Sequence, residues 1–281
     1  MTDKRSDRKE SKKQREETKM EKRNQPVGIF DSGIGGISVL RELTAVLPHE
    51  NFIYYGDSKN APYGTKTISQ VRESVYAVAG HLMEQGAKAL VVACNTATSA
   101  AIDSLRETYC GIPVIGIEPA LKPAVHAGTY PRVLVMATPM TLREEKFRHL
   151  MQQYRTEAEI IPLPCPGLME FVERGELDTP ELEQFLRELF ADSLTEPVDC
   201  VVLGCTHYPL IREMIQKVLG ENVQIFDGGP GTARETKHRL EQTGLLNNSD
   251  AQGKVFFENS LDNPEILRLC HFLLEHRSCR R

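Results

Sequence analysis

The chain has 281 residues, 40% of them hydrophobic, with a formal net charge of −5 and a pI near 6. That is enough length and apolar content for one large domain or two ordinary ones with a full core. The acidic balance gives no general case for nucleic acid, no apolar run approaches the roughly 20 residues needed to span a bilayer, and the charged N-terminus lacks the apolar stretch of a secretory signal.

Residues 1–25 are almost wholly polar, dense in Lys, Arg and Glu, and are expected to form a disordered charged tail or at most a transient helix. The fold is expected to begin at Val27. Val27-Gly28-Ile29-Phe30 reads as a short strand ending at Asp31-Ser32, and Gly33, Gly35 and Gly36 allow a tight turn into a helix over about 36–46. A second strand over 51–55 ends at Gly56-Asp57. A loop with Pro62-Tyr63-Gly64 follows, then a helix over 68–85 in which Val71, Val75, Val78, Leu82 and Met83 keep helical spacing. The run Val91-Val92-Ala93-Cys94 reads as a buried strand that ends in a cysteine before Asn95-Thr96. A helix to about 108 and a strand over 113–117 close the first half.

The second half repeats the rhythm. A strand over 132–136 ends at Ala137-Thr138, with a helix after Thr141. A strand over 159–163 ends near Cys165, and helices follow at 167–174 and 179–193. Val201-Val202-Leu203-Gly204-Cys205 is again a buried run ending in cysteine, now before Thr206-His207. A helix over 209–218, a strand over 223–226, a helix over 231–242, a short strand at Phe256-Phe257 and a helix over 264–275 complete the chain. Alternating strands and helices imply parallel sheets with right-handed crossovers. The expected fold is α/β: two similar doubly wound parallel-sheet domains related by a pseudo-two-fold, with the site between them. The expected division is 26–119 plus 230–281 for the first domain and 120–229 for the second. The segment Ile117–Pro123 joins them; Pro119 and Pro123 limit helix there, which suits a hinge that closes on substrate.

There are seven cysteines: Cys94, Cys110, Cys165, Cys200, Cys205, Cys270 and Cys279. No CxxC or His-x-x-x-His is present, so no metal site is expected. Cys200 and Cys205 read as lying on one strand and pointing to opposite faces. Free thiols without an export signal fit a cytoplasmic protein.

Asp31-Ser32-Gly33-Ile34-Gly35-Gly36 invites a nucleotide reading, but Ser38 stands where G-x-G-x-x-G needs its third glycine, and no P-loop sequence occurs. What remains is a helix N-terminus suited to a small carboxylate or phosphate, or plain capping by Asp31 and Ser32. Taken singly, Cys94 or Cys205 reads as inert core. As a pair they occupy the same place in matching units, each followed by hydrogen-bonding residues. His207 follows Cys205 closely enough to act on it, and Asp31 could play a matching part near Cys94. Thiols near neutral pH can accept or donate protons. Two of them on opposite sides of one carbon could remove a proton from one face and return it on the other. The same geometry also suits a nucleophilic Cys205 with His207 as base, the pattern of a thiol hydrolase.

At these residues the sequence resembles the glutamate racemases of bacterial wall synthesis, within the aspartate/glutamate racemase superfamily. The likeness is carried by Phe30-Asp31-Ser32-Gly33-Ile34-Gly35-Gly36, Pro62-Tyr63-Gly64, Ala93-Cys94-Asn95-Thr96-Ala97 and Leu203-Gly204-Cys205-Thr206-His207-Tyr208-Pro209. The resemblance implies interconversion of L- and D-glutamate with no cofactor, supplying D-glutamate for peptidoglycan. It implies that Cys94 and Cys205 are the two acid/base thiols, assisted by Asp31 and His207 respectively, with Glu173 a further acidic residue of the site. Asp31, Ser32, Tyr63, Gly64, Asn95, Thr96, Thr206 and His207 match segments that hold glutamate; Thr138 and Thr141 are weaker matches. Some members are activated at the hinge by a muramyl-peptide precursor, and a homodimer is a further partner expectation; neither a membrane nor nucleic acid is expected. Racemisation of aspartate or another small amino acid is the near alternative.

Overall fold

The computed structural model describes residues 20–191 and 196–275. Cys279 and residues 1–19 of the expected tail lie outside them. Among the described residues, nine strands form two sheets, all parallel. The first contains β1 (Val27–Asp31), β2 (Phe52–Gly56), β3 (Ala89–Val92), β4 (Val114–Gly116) and β9 (Val255–Asn259), in the order β4-β3-β1-β2-β9. The second contains β5 (Arg132–Ala137), β6 (Glu159–Pro164), β7 (Cys200–Leu203) and β8 (Gln224–Asp227), in the order β6-β5-β7-β8. Matching β1 to β5 and so on in sequence, both halves have their first and third strands at the centre and their second and fourth flanking them. Two domains with one winding are therefore present, as the repeated rhythm predicts.

The central strands show why apolar runs were legible. β1, β3 and β7 are buried at every residue, because a parallel sheet covered by helices leaves neither face to water. The helices are α1 (Ile37–Val46), α2 (Ile68–Glu84), α3 (Asn95–Thr108), α4 (Leu121–Val125), α5 (Pro139–Arg143), α6 (Glu145–Gln153), α7 (Leu168–Glu173), α8 (Pro180–Ala191), α9 (Arg212–Leu219), α10 (Gly229–Thr243) and α11 (Pro264–Glu275). Thr67 starts α2 with a capping box: its hydroxyl accepts from Gln70 N at 3.3 Å, and Gln70 Oε1 accepts from Thr67 N at 3.0 Å.

Several expectations need correction. Both cysteine strands stop short of their thiols. β3 ends at Val92, and Cys94 is the N-cap of α3, its Sγ accepting from Ala97 N at 3.4 Å. β7 ends at Leu203, where Gly204 is pressed so close to the neighbouring strand that a Cβ would lie 2.9 Å from the Met136 carbonyl oxygen. Cys200 and Cys205 thus share no strand, although they still join different apolar clusters. Pro123 does not keep the linker from coiling: it lies in the first turn of α4, where its missing N–H is not needed. Residues 20–24, inside the segment expected to be disordered, form a helical turn. Arg23 Nε donates to Gly244 O at 3.0 Å and Lys88 Nζ donates to Arg23 O, which ties that turn to the body.

Among the described residues, no helix is long and apolar enough to cross a membrane.

Candidate active site

The ends of β1, β3, β5 and β7 converge with the tip of α7. Cys94 is 6% exposed, Cys205 7%, His207 1% and Asp31 0%. Such burial would be costly for these groups without partners. Asp31 finds one in the opposite half, while Cys94, Cys205 and His207 are partnered within their own.

Thr206 Oγ1 donates to Asp31 Oδ2 at 3.0 Å, and Ser38 Oγ donates to Thr206 O at 2.8 Å. Asp31 Oδ1 also accepts from Gly33 N at 3.3 Å. Asp31 therefore neither caps α1, whose N-cap is Gly36 without a side-chain bond, nor hydrogen-bonds Cys94. Burial pushes its carboxyl above the usual range, although the nearby His207 and the Thr206 bond work against that.

Cys94 Sγ lies 3.7 Å from Ser32 Oγ. Burial first, and then the Asp31 charge, push its thiol up to about 12, so it holds its proton at neutral pH. The other thiol has different company. Cys205 Sγ is 3.6 Å from His207 Nδ1, and His207 Nε2 is 2.7 Å from Glu173 Oε1. Burial alone would lower the imidazole's pKa; the bonds to Cys205 and Glu173 outweigh it and hold it well above its ordinary value. Burial likewise favours a protonated Glu173, and the His207 bond reverses this, leaving the carboxyl below the usual range. Glu173 and His207 are thus an ion pair at neutral pH.

Glu173 Oε1 accepts a second bond, from Ile34 N at 2.9 Å. The open amide of the glycine turn, expected to receive a ligand anion, is taken by this carboxylate. The glycines permit it. A Cβ on Gly33 would fall 2.0 Å from Glu173 Oε1, and one on Gly35 would fall 2.4 Å from His207 Nδ1.

On the far side, three hydroxyls meet across the interdomain gap. Thr96 Oγ1 is 3.3 Å from Thr138 Oγ1 and 3.2 Å from Thr141 Oγ1, and the last two are 2.9 Å apart. Gly64 faces this group, its backbone so near that a Cβ would lie 3.1 Å from Thr138 Cβ. Tyr63 is buried, its hydroxyl donating to Asp57 Oδ2 at 2.6 Å. Among the described residues, the buried amide of Asn95 has no partner for either its oxygen or its nitrogen. The residues singled out from the sequence fall into four groups, Cys94 with Ser32, Asp31 with Thr206, Cys205 with His207 and Glu173, and Thr96, Thr138 and Thr141 with Gly64, while Tyr63 turns to Asp57 and Asn95 joins none of them. The sequence reading missed Tyr54, whose buried hydroxyl donates to Gly33 O at 2.8 Å, and Asp57. A tyrosine within an apolar strand beside a glycine turn was the available signal for the first.

The Asp/Glu/hydantoin racemase family model matches residues 37–236. The chain belongs to that family. It is 50% identical over 253 residues to glutamate racemase from Clostridium perfringens, covering 90% of this chain and 97% of that one. A glutamate racemase isoform from Bacillus anthracis superposes with a TM-score of 0.81 at 31% identity, covering 91% and 96% of the two chains. Glutamate racemase from Escherichia coli, solved with L-glutamate and the activator UDP-MurNAc-Ala, gives 0.76 at 32% identity and covers 86% and 92%. This racemase is therefore an isomerase acting on an amino acid, and its two parallel-sheet domains are those of solved glutamate racemases.

Proposed function

We propose that this racemase interconverts L- and D-glutamate by moving one proton through two thiols, Cys94 and Cys205. The carrying observation is that two cysteines follow equivalent central strands of two domains with one winding and are given opposite electrostatic settings. Cys94 is kept protonated by burial, while Cys205 faces an imidazole held above its ordinary pKa. In a two-base exchange one sulfur takes a proton while the other gives one, and the roles swap with the direction of the reaction.

The bookkeeping is simple. One thiolate removes the α-proton, so a C–H bond breaks and an S–H bond forms. The opposite thiol then protonates the other face of the carbon, and the enzyme is left with its proton on the first sulfur. Oxidation state does not change. The α-proton of an amino acid is very weakly acidic, so the charge developing beside the substrate carboxylate must meet fixed donors in a water-poor site. The vacant amide of Asn95, the hydroxyls of Ser32, Thr96 and Thr206, and the turn at Tyr63-Gly64 are the donors we assign, with Thr138 and Thr141 completing the wall. Asp31 is assigned to the Cys94 side; His207, paired with Glu173, serves Cys205. The low exposure of both thiols means that substrate enters when the domains part and reacts when they close.

The test is exchange in deuterated water with L-glutamate and no added cofactor. Deuterium at Cα of D-glutamate is expected, with loss of racemisation in Cys94→Ser and Cys205→Ser. Exchange of aspartate but not glutamate would overturn the substrate, and a covalent adduct at Cys205 with Cys94→Ser fully active would favour a thiol hydrolase. In the cell we propose a cytoplasmic supply of D-glutamate for peptidoglycan. For a muramyl-peptide activator we propose the groove along the linker, where Arg106, Lys122 and Arg212 stand beside Pro119 and Pro123; titration with UDP-MurNAc-Ala checks it. Light scattering checks whether the chain forms a homodimer.

A further inference from the structure

Gly33 and Ile34 share one peptide group, and both ends of that group are used. Its carbonyl oxygen accepts from Tyr54 Oη at 2.8 Å. Its N–H donates to Glu173 Oε1 at 2.9 Å. The same carboxylate oxygen sits 2.7 Å from His207 Nε2, and His207 Nδ1 sits 3.6 Å from Cys205 Sγ. Five groups thus form one unbroken chain that starts in the first domain at β2 and ends at a thiol of the second.

We infer that Tyr54 is a positioning residue for the Cys205 half of the reaction, acting through the Gly33–Ile34 peptide, Glu173 and His207. This rests on the two-thiol reading above.

Three observations support it. Tyr54 has no exposure, so its hydroxyl must find a protein partner, and it finds this carbonyl. A hydrogen bond to the carbonyl of a peptide polarises the whole unit and makes its N–H a better donor; chains of such bonds strengthen one another in a medium of low dielectric. The glycine turn is also shaped for the contact. Gly33 and Gly35 leave space that Glu173 and His207 occupy, so the turn is a seat for the dyad as well as a bend in the chain. Because the seat belongs to one domain and the dyad to the other, the dyad is held only when the domains close. Parting the domains removes the Ile34 N–H from Glu173, and His207 loses its fixed orientation toward Cys205. Closure and the arming of this thiol are then a single event, whereas Cys94 Sγ keeps its bond from Ala97 N within its own domain.

The assignment makes an asymmetric prediction that a general loosening of the protein does not. L- and D-glutamate have equal free energy, so any change in kcat/KM must be the same for both directions. The asymmetry appears in isotope effects. If the step at Cys205 is slowed, it becomes the slow step in both directions. With α-deuterated substrate, the isotope effect on kcat/KM then rises for the enantiomer whose proton Cys205 removes and falls toward unity for the other.

Tyr54→Phe keeps the ring and removes the donor. The full chain carrying it should lose about three- to tenfold in kcat/KM in both directions, the size of one hydrogen bond, with the isotope effects moving apart. Gly33→Ala attacks the relay from the other end: the new Cβ must push aside Glu173, and the turn has no left-handed φ that would forbid alanine. It should give the same divergence, and it carries the test if Tyr54→Phe does not fold. The isotope effect for each enantiomer in Cys205→Ser and Cys94→Ser half-reactions fixes which one Cys205 serves. Unchanged kcat/KM in a folded Tyr54→Phe protein, or isotope effects that shift alike for both enantiomers, would overturn the relay. Full racemisation in Cys205→Ser would instead overturn the two-thiol reading beneath it.

Discussion

Gly35 and His207 are in contact across the two domains, so closely that a methyl group on Gly35 would lie 2.4 Å from Nδ1 and 2.6 Å from Cε1 of the ring. The ring cannot retreat cheaply, because Nε2 is bonded to Glu173 and Nδ1 faces Cys205. Gly35→Ala should therefore cost about 1–3 kcal/mol of closed-state stability by overpacking, which corresponds to a drop of about five- to 150-fold in kcat/KM. Steady-state kinetics beside a melting curve measure this. An alanine variant with unaltered kinetics would show that His207 does not work from this seat.

The Glu173–His207 pair sets a pH window for stability. Glu173 is held below its ordinary value of 4.5, so its contribution is present above that value and is lost as pH falls through the lowered one. His207 is held well above its ordinary 6.5, so its contribution is full below 6.5 and is lost as pH rises through the raised value. Between these limits both are charged. Glu173→Gln should cost about 1.5–3 kcal/mol at pH 6, the range for a hydrogen bond to a charged group. Its melting temperature should approach that of the parent at both the acid and the alkaline end. A constant difference across the whole range would mean that the pair is not ionised as described.

How far this site could be read in advance depended on the kind of residue. The strands were legible because Val91-Val92 and Val201-Val202-Leu203 are buried on both faces and leave no polar alternation to confuse them. Cys94 and Cys205 were legible through the repeat, but their offset past the strand ends was not, since pattern fixes element boundaries less well than element type. Glu173 is marked by the resemblance alone, because nothing in a helical run singles out the one carboxylate that reaches across to another domain. Tyr54 stands out as a hydroxyl in an apolar strand, but its role arises from a peptide plane that the hydroxyl meets only after folding. The charged sequence at 20–24 allows no more than a transient helix, and what fixes the turn there is Arg23 and Lys88 bonding to carbonyl groups.

Lys88 and Glu50 form a second ion pair away from the site, and both are almost fully buried. Their Nζ and Oε2 atoms are 2.5 Å apart, and Glu50 Oε1 accepts from Asn247 N at 2.7 Å. The pair fastens the segment leading to β9 against the edge of the first sheet. Breaking it with Lys88→Met alone leaves an uncompensated buried carboxylate and should cost about 3–5 kcal/mol. The double variant Lys88→Met, Glu50→Gln should recover a large part of that loss. Urea titration of the three proteins tests the pairing; equal loss in the single and double variants would rule out charge as the cause.

Asn95 offers the sharpest separation of stability from function. Both polar atoms of its amide are buried and unpartnered, a state that costs roughly 1–3 kcal/mol for such a group. A core residue selected for stability would not keep it. Asn95→Leu is similar in volume and removes the unmet polar atoms. It should leave the melting temperature unchanged or raise it, because the desolvation cost disappears. Glutamate binding should weaken by about tenfold or more, since a site built to hydrogen-bond its substrate is then missing a partner. The stabilisation that glutamate confers on the parent should shrink correspondingly, following the loss of affinity. Thermal melts of both proteins with and without glutamate read both effects at once. If Asn95→Leu melts several degrees lower yet binds glutamate as the parent does, the amide is a structural element rather than part of the substrate's cradle.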